Sequence, residues 1–144
     1  MPVPRVEVEL SIKSPPEPIY RVLEDAERFP EFMSSVEAIR VRERGPDYAI
    51  TEWIARLRGA RFRWVERDEF RENRIDYRQL EGDLRQFEGS WVLEPENGFT
   101  RVRLVTDFEF GLPMLSSLLN PVAKVTLRDN ALAMLEAIRT QVEG

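Results

Sequence analysis

The chain has 144 residues, 42% of them hydrophobic and 33% charged, a balance that suits one globular domain and excludes a disordered segment. Its formal net charge is −5 with acids and bases interspersed, so it lacks the one-sided basic field of a nucleic-acid binder, and nucleic acid is not an expected partner. Cysteine and histidine are both absent, which removes disulfides, thiolate chemistry, the commonest metal ligand and every histidine-based nucleophile, so neither metal nor cofactor is expected.

The opening Met1-Pro2-Val3-Pro4-Arg5-Val6-Glu7 lacks the pattern of a signal peptide, and no apolar run approaches the roughly 20 residues that span a bilayer. A cytoplasmic location is the resulting expectation. The first element is a half-buried strand: Val6, Val8, Leu10 and Ile12 alternate with Arg5, Glu7, Glu9, Ser11 and Lys13. It stops at Ser14-Pro15-Pro16, where Ser14 can cap and the prolines suit a first helical turn. Ile19, Val22 and Leu23 then share one face of a short helix over Glu17–Asp25, and a second helical piece runs Ala26–Met33.

From Val36 to Phe110 the pattern is six strands joined by short turns: Val36–Arg44, Tyr48–Leu57, Phe62–Phe70, Ile75–Leu80, Leu84–Leu93 and Thr100–Phe110. Short turns between successive strands predict an antiparallel meander, and one-sided polarity predicts one covered face. After Gly111 the pattern is helical. Pro113–Leu119 reads as a short lead-in, and Asn120-Pro121 as the cap and first turn of a long helix with Val122, Val125, Leu132, Leu135, Ile138 and Val142 in its apolar stripe. The predicted class is α+β, a helix-grip fold. Seven strands form a curved antiparallel sheet around the C-terminal helix, with two short helices after the first strand, all in one domain over 1–144. A sheet curved around one helix leaves a gap where a ligand can sit.

Four stretches, Pro15–Asp25 with Phe29-Pro30-Glu31-Phe32, then Phe62–Phe70, Glu81–Trp91, and Gly111–Leu115 through Arg128-Asp129-Asn130-Ala131, share a pattern. It resembles that of START-like (SRPBCC) domains, in the branch of polyketide cyclases/dehydrases and coenzyme Q-binding proteins. The resemblance spans nearly the whole chain and implies a cavity for a small lipophilic molecule such as a quinone, polyketide or lipid. It also implies departures. The arginine that bacterial aromatase/cyclases carry inside the cavity falls here on Asp68, and their tyrosine after the second short helix falls on Val36. The cyclase machinery is therefore not carried over.

Inward positions follow from alternation. Phe62, Trp64, Glu66, Asp68 and Phe70 share a face. A tight turn near Gly59 brings Trp53, Ala55 and Leu57 to the same side, although Ile50 and Ile54 compete for it. The predicted ligand-binding set is Trp53, Phe62, Trp64, Tyr77, Phe87, Trp91, Leu104, Phe108, Leu118, Val122 and Val125; its tryptophans are equally well read as core packing. The catalytic candidates are Glu66, Asp68, Arg85 and Tyr77. Two carboxylates on an apolar strand face either have a raised pKa and serve as acid, base or ligand anchor, or form a salt bridge with Arg85, and the salt bridge is the preferred expectation. Leu112, Met114, Leu115, Leu118 and Leu119 read as packing over the cavity mouth, as a lid, or as an edge for transient membrane contact near Leu112–Leu119. The arginines Arg61, Arg63, Arg101 and Arg103 read as a solvated convex face. The leading reading is a binder or carrier, monomeric or homodimeric. The alternatives are a cyclase- or dehydratase-like enzyme acting on a polyketide-type substrate, and a protein-interaction module.

Overall fold

A computed structural model of the chain describes residues 4–109 and 113–144, the side chains of 113–120 excepted. Strand β1 (Arg5–Ile12) buries Val6, Val8 and Ile12, as its alternation requires. Helix α1 (Pro16–Glu24) follows with Ile19 and Leu23 buried, then a 3-10 turn (Ala26–Glu31) that buries Phe29. Ser14 does not cap α1. The N-cap position is Pro15, and buried Ser14 instead accepts at its carbonyl the Thr100 hydroxyl, 2.7 Å away.

Strands β2 (Val36–Arg44), β3 (Tyr48–Leu57), β4 (Ala60–Arg71), β5 (Arg74–Gly82), β6 (Gln86–Glu96) and β7 (Phe99–Glu109) complete one antiparallel sheet of seven strands in the order β1-β7-β6-β5-β4-β3-β2. Each strand after β1 lies beside its sequence neighbour, and β1 closes against β7. The turns suit their residues. Arg58 and Gly59 both take positive φ (51° and 81°) in the two-residue β3–β4 connection, the conformation that matches strand twist in a tight hairpin. The β4–β5 turn has Asn73 at φ 51°, a residue that tolerates the left-handed region.

The β3–β4 turn fixes register, pairing Trp53 with Trp64, Ala55 with Phe62 and Thr51 with Glu66. Trp53 and Ala55 therefore face inward as expected, while Ile50 and Ile54 pair with Arg67 and Arg63 on the outer face. That outer face carries arginines bound to carboxylates: Glu52 meets Arg40, Arg42 and Arg63, Glu37 meets Arg56 and Arg61, and Glu94 meets Arg101 and Arg103.

Helix α2 (Pro113–Glu143) packs against β1, β7 and β3. Two expectations about it are corrected. It runs unbroken through Pro121, so Asn120-Pro121 is not its start; proline's fixed φ is itself helical, and a long packed helix can forgo one backbone hydrogen bond. The predicted stripe holds only toward its C-terminal end: Leu135 and Ile138 are buried and Val142 packs against the core as expected, whereas Val125 (50% exposed) and Leu132 face solvent and Val122 (54%) stands at the cavity's edge. Earlier in the helix valine and leucine outweigh alanine and methionine in the sequence pattern, yet Ala131 and Met134 are the ones that fit against the sheet. Phe110 and Leu112 lie outside the described residues, as do the side chains of Met114, Leu115, Leu118 and Leu119. Among the described residues, no helix is long and apolar enough to cross a membrane.

This orientation has a mutational consequence. Ile138→Ala should lower unfolding free energy by about 3 kcal/mol, as large-to-small core changes do, whereas Val125→Ala should change it by less than about 0.5 kcal/mol. Urea denaturation of the two variants distinguishes them, and a comparable loss in both would place the helix the other way round.

Candidate ligand cavity

A cavity of about 410 Å³ lies between the sheet and the inner side of α2. On the sheet side its walls are rings. Trp53 and Trp64 stack at 5.4 Å with 16° between their planes, Trp64 meets Phe87 at 5.2 Å, and Tyr77 meets Phe87 at 5.8 Å. Phe62, Trp91 and Leu104 extend the same surface. Ala123, Thr126, Leu127, Asn130, Ala131 and Met134 line it from α2. The cavity reaches the surface beside the β3–β4 turn, where exposed Arg58 and Ala60 border it together with Asp83 of the β5–β6 connection.

Trp53, Phe62, Trp64, Tyr77, Phe87, Trp91, Leu104 and Val122 of the expected ligand-binding set therefore line this space. Phe108 does not: it is fully buried opposite Phe87, and alternation fixes the side of the sheet but not whether a residue meets the cavity or the packed core. Val125 does not, because it is on the solvent side of α2, and the Leu118 side chain is outside the described residues. Thr126, Leu127 and Asn130 escape the sequence reading because the apolar stripe is drawn one face away. Their i, i+4 spacing with Ala123, Ala131 and Met134 is the signal that could have found them.

Tyr77 presents its ring to the cavity and turns its hydroxyl into the sheet. The hydroxyl donates to the Val105 carbonyl at 3.0 Å and lies 2.5 Å from the Thr106 hydroxyl. It crosses β6 at Gly89, where a Cβ would stand 1.8 Å from that carbonyl and 2.7 Å from the Tyr77 hydroxyl, so only glycine admits the crossing. Burial holds the Tyr77 pKa above the ordinary phenol value, so it stays protonated.

Arg85 is not in the cavity. The chain bends at 83–85 before β6 begins at Gln86, so alternation extended back from Phe87 does not reach it. Arg85 is exposed, its backbone N–H donating to the Glu109 carbonyl at 2.9 Å, and no ion pair joins it to Glu66 or Asp68. The expected salt bridge is thus absent.

Glu66 (4% exposed) and Asp68 (7%) are buried together among tryptophans. The Trp64 indole N–H donates to Glu66 Oε1 at 2.8 Å, the Thr51 hydroxyl donates to Asp68 Oδ2 at 2.8 Å, and the Trp53 indole N–H donates to Thr51 Oγ1 at 2.9 Å. Burial first, then the neighbouring Asp68 charge, hold the Glu66 pKa well above the usual carboxyl range. Burial also raises Asp68, opposed by hydrogen bonds from Glu66 and Thr51 and by the charge of Arg44. Both carboxyls are therefore biased toward the protonated form, Glu66 the more strongly. Glu66 borders the main cavity, whereas Asp68 borders a gap of only about 20 Å³ beside Arg44 and Phe70. Among the described residues, no group of acids, cysteines or histidines is arranged to hold a metal.

A curved sheet, a helix across it and an aromatic cavity between them define a START-like helix-grip protein. The chain belongs to the family described as polyketide cyclase/dehydrase and lipid transport, whose profile matches residues 12–135. Among solved structures it is similar to TTHA0849 of Thermus thermophilus, with 32% identity over 96% of this chain and 97% of that one and a TM-score of 0.90. It shares its fold with the Zhui aromatase/cyclase from Streptomyces sp. R1128, at 19% identity over 99% and 94% of the two chains and a TM-score of 0.90. A STAR-related lipid transfer protein from Xanthomonas axonopodis shares it too, at 14% identity over 96% and 85% and a TM-score of 0.78. No curated protein sequence matches the chain.

The acid pair makes stability pH-dependent. A carboxyl with a raised folded pKa binds its proton more tightly when folded, so stability falls as pH rises from the unfolded value toward the folded one, by about 1.4 kcal/mol per unit of separation. Glu66→Gln keeps a donor for Asp68 and removes the ionisation. Its melting temperature should exceed that of the parent at pH 8, with the gap closing toward pH 5. An equal gap at both pH values, measured by thermal scans, would contradict the raised Glu66 pKa.

Proposed function

We propose that this chain binds and carries a small lipophilic molecule, of quinone, polyketide or lipid type, in its internal cavity. The observation that supports this reading best is the ring-walled space of about 410 Å³ that reaches the surface at the β3–β4 turn. Ligand pockets typically enclose roughly 300–1,000 Å³ with mostly apolar walls and few polar groups. Ordinary core packing leaves no void of this size, because interiors close to crystal-like density. The family embraces both cyclase/dehydrase and lipid-transport members, so membership alone does not choose between carriage and catalysis.

A second reading, a cyclase- or dehydratase-like enzyme, draws support from one feature: Glu66, whose pKa burial holds well above the usual carboxyl range, borders the cavity. Against it, the Tyr77 hydroxyl is bound within the sheet and Arg85 is in solvent, which leaves Glu66 and Asp68 as the titratable candidates of the four. Carriage needs none of these groups to react.

An uncharged naphthyl-ketone dye should bind native protein at one equivalent and quench tryptophan emission, since Trp53, Trp64 and Trp91 line the space. Trp64→Leu should weaken the dye by about tenfold, a loss of about 1.4 kcal/mol. Binding only in partly denaturing urea would defeat the carriage reading.

A further inference from the structure

The cavity's polar groups differ in charge between its mouth and its interior. At the mouth Arg58 and Asp83 are both exposed, and the Arg63 guanidinium turns away to Glu52 on the outer face. In the interior, among the described residues, there is no cation: the buried ionisable groups are Glu66, Asp68 and protonated Tyr77. Arg44, whose charge acts on Asp68, is exposed and borders the small gap beyond the pair, not the cavity. Glu66 accepts the Trp64 indole N–H on one oxygen and borders the cavity, where its carboxyl offers further lone pairs as acceptors. Across from the sheet, Thr126 on α2 holds a hydroxyl oxygen that is buried and has no hydrogen-bond partner, and it too lines the cavity. A buried hydroxyl without a partner carries a desolvation cost, and a ligand can supply the missing bond.

Resting on the carriage reading, we infer that the cavity selects an uncharged aromatic ligand bearing a hydroxyl group, phenolic or enolic, which donates to Glu66 while Thr126 bonds a second polar atom of the same molecule. Three features carry this. An acceptor at the wall calls for a donor on the ligand. A carboxylate or phosphate brought to the same place would face the negative charge of the Asp68–Glu66 pair with no arginine or lysine on the cavity side to offset it. The stacked tryptophans and Phe87 offer flat surfaces that suit a ring system. A free fatty acid inserted carboxylate-first is thereby disfavoured, and any anionic end of a ligand belongs at the Arg58 mouth.

Three probes of one shape test the inference by calorimetry at pH 7: naphthalene, 2-naphthol and 2-naphthoate. The parent protein should bind 2-naphthol about tenfold more tightly than naphthalene and reject 2-naphthoate by at least about tenfold relative to 2-naphthol. Thr126→Val should reduce the affinity of a hydroxy-naphthoquinone more than that of 2-naphthol. Glu66→Leu should abolish the advantage of 2-naphthol over naphthalene, and Asp68→Asn should narrow the rejection of 2-naphthoate by about tenfold. Should Glu66→Leu fail to fold, the ranking of the three probes on the parent protein decides the matter without it. Equal binding of naphthalene and 2-naphthol, or a preference for 2-naphthoate, overturns the inference while leaving carriage intact. Failure of all three to bind native protein overturns both.

Discussion

The pairing of Trp53 with Trp64 across β3 and β4 is the contact on which the cavity depends. Side chains alternate along a strand, so a slip of one residue at the Arg58-Gly59 turn would carry Trp53, Thr51 and Ala55 to solvent and bring Ile54 and Glu52 inward. Two positive φ values hold that turn to two residues, and the register follows. The stacked indoles then form the floor of the cavity, and their N–H groups point along the same strands toward Thr51 and Glu66. One turn thus determines both the apolar wall and the polar corner.

The two faces of the sheet treat charge differently. Outside, carboxylates sit among several guanidinium groups, as with Glu52 and Glu37, whose pKa values are lowered by those arginines. The arginines are exposed, so each pair contributes little to stability and the lattice acts mainly to cover the sheet's outer face. Inside, Glu66 and Asp68 have no such partner: the charge of Arg44 reaches Asp68, but among the described residues no ion pair joins them. A buried pair of like acids can persist only by holding a proton and by accepting from neutral donors, which the Trp64 indole and Thr51 provide.

The fold was legible because alternation, short turns and a terminal helix each carry a strong local signal. Val102, Leu104, Thr106 and Phe108 are buried in the period of two that their spacing demands. Alternation likewise showed that the three tryptophans face inward, but not whether they pack a core or line a space, which depends on how far α2 stands off the sheet. What escaped were features set by distances along an element or by how the helix rolls. Alternation carries Arg85 into a strand that in fact begins one residue later, and the chain turns outward there. The roll of α2 is hidden because Val122 and Val125 are more apolar than Thr126 and Asn130, although the cavity rather than a packed core lies beneath that stretch. A helix over a void can present threonine and asparagine inward, and sequence apolarity then points the wrong way.

This fold supports several functions by changing only the groups inside the cavity, so the chemistry rests on few positions. Asp68, which lies behind Glu66 rather than in the cavity lining, is the most telling position beside it. The resemblance to aromatase/cyclases places their cavity arginine at this position, and here the charge is reversed. An arginine at the wall would stabilise a developing enolate or hold an anionic group, whereas the Glu66 and Asp68 carboxyls do the opposite: they disfavour a negative charge nearby and accept hydrogen bonds from neutral donors. Tyr77 and Gly89 reinforce that role, because the phenol hydroxyl is fixed against the Val105 carbonyl and cannot deliver its proton to the cavity. The wall is therefore held by the sheet itself, and among the described residues Glu66 is the buried carboxyl that borders the cavity, so whatever enters meets one fixed polar corner.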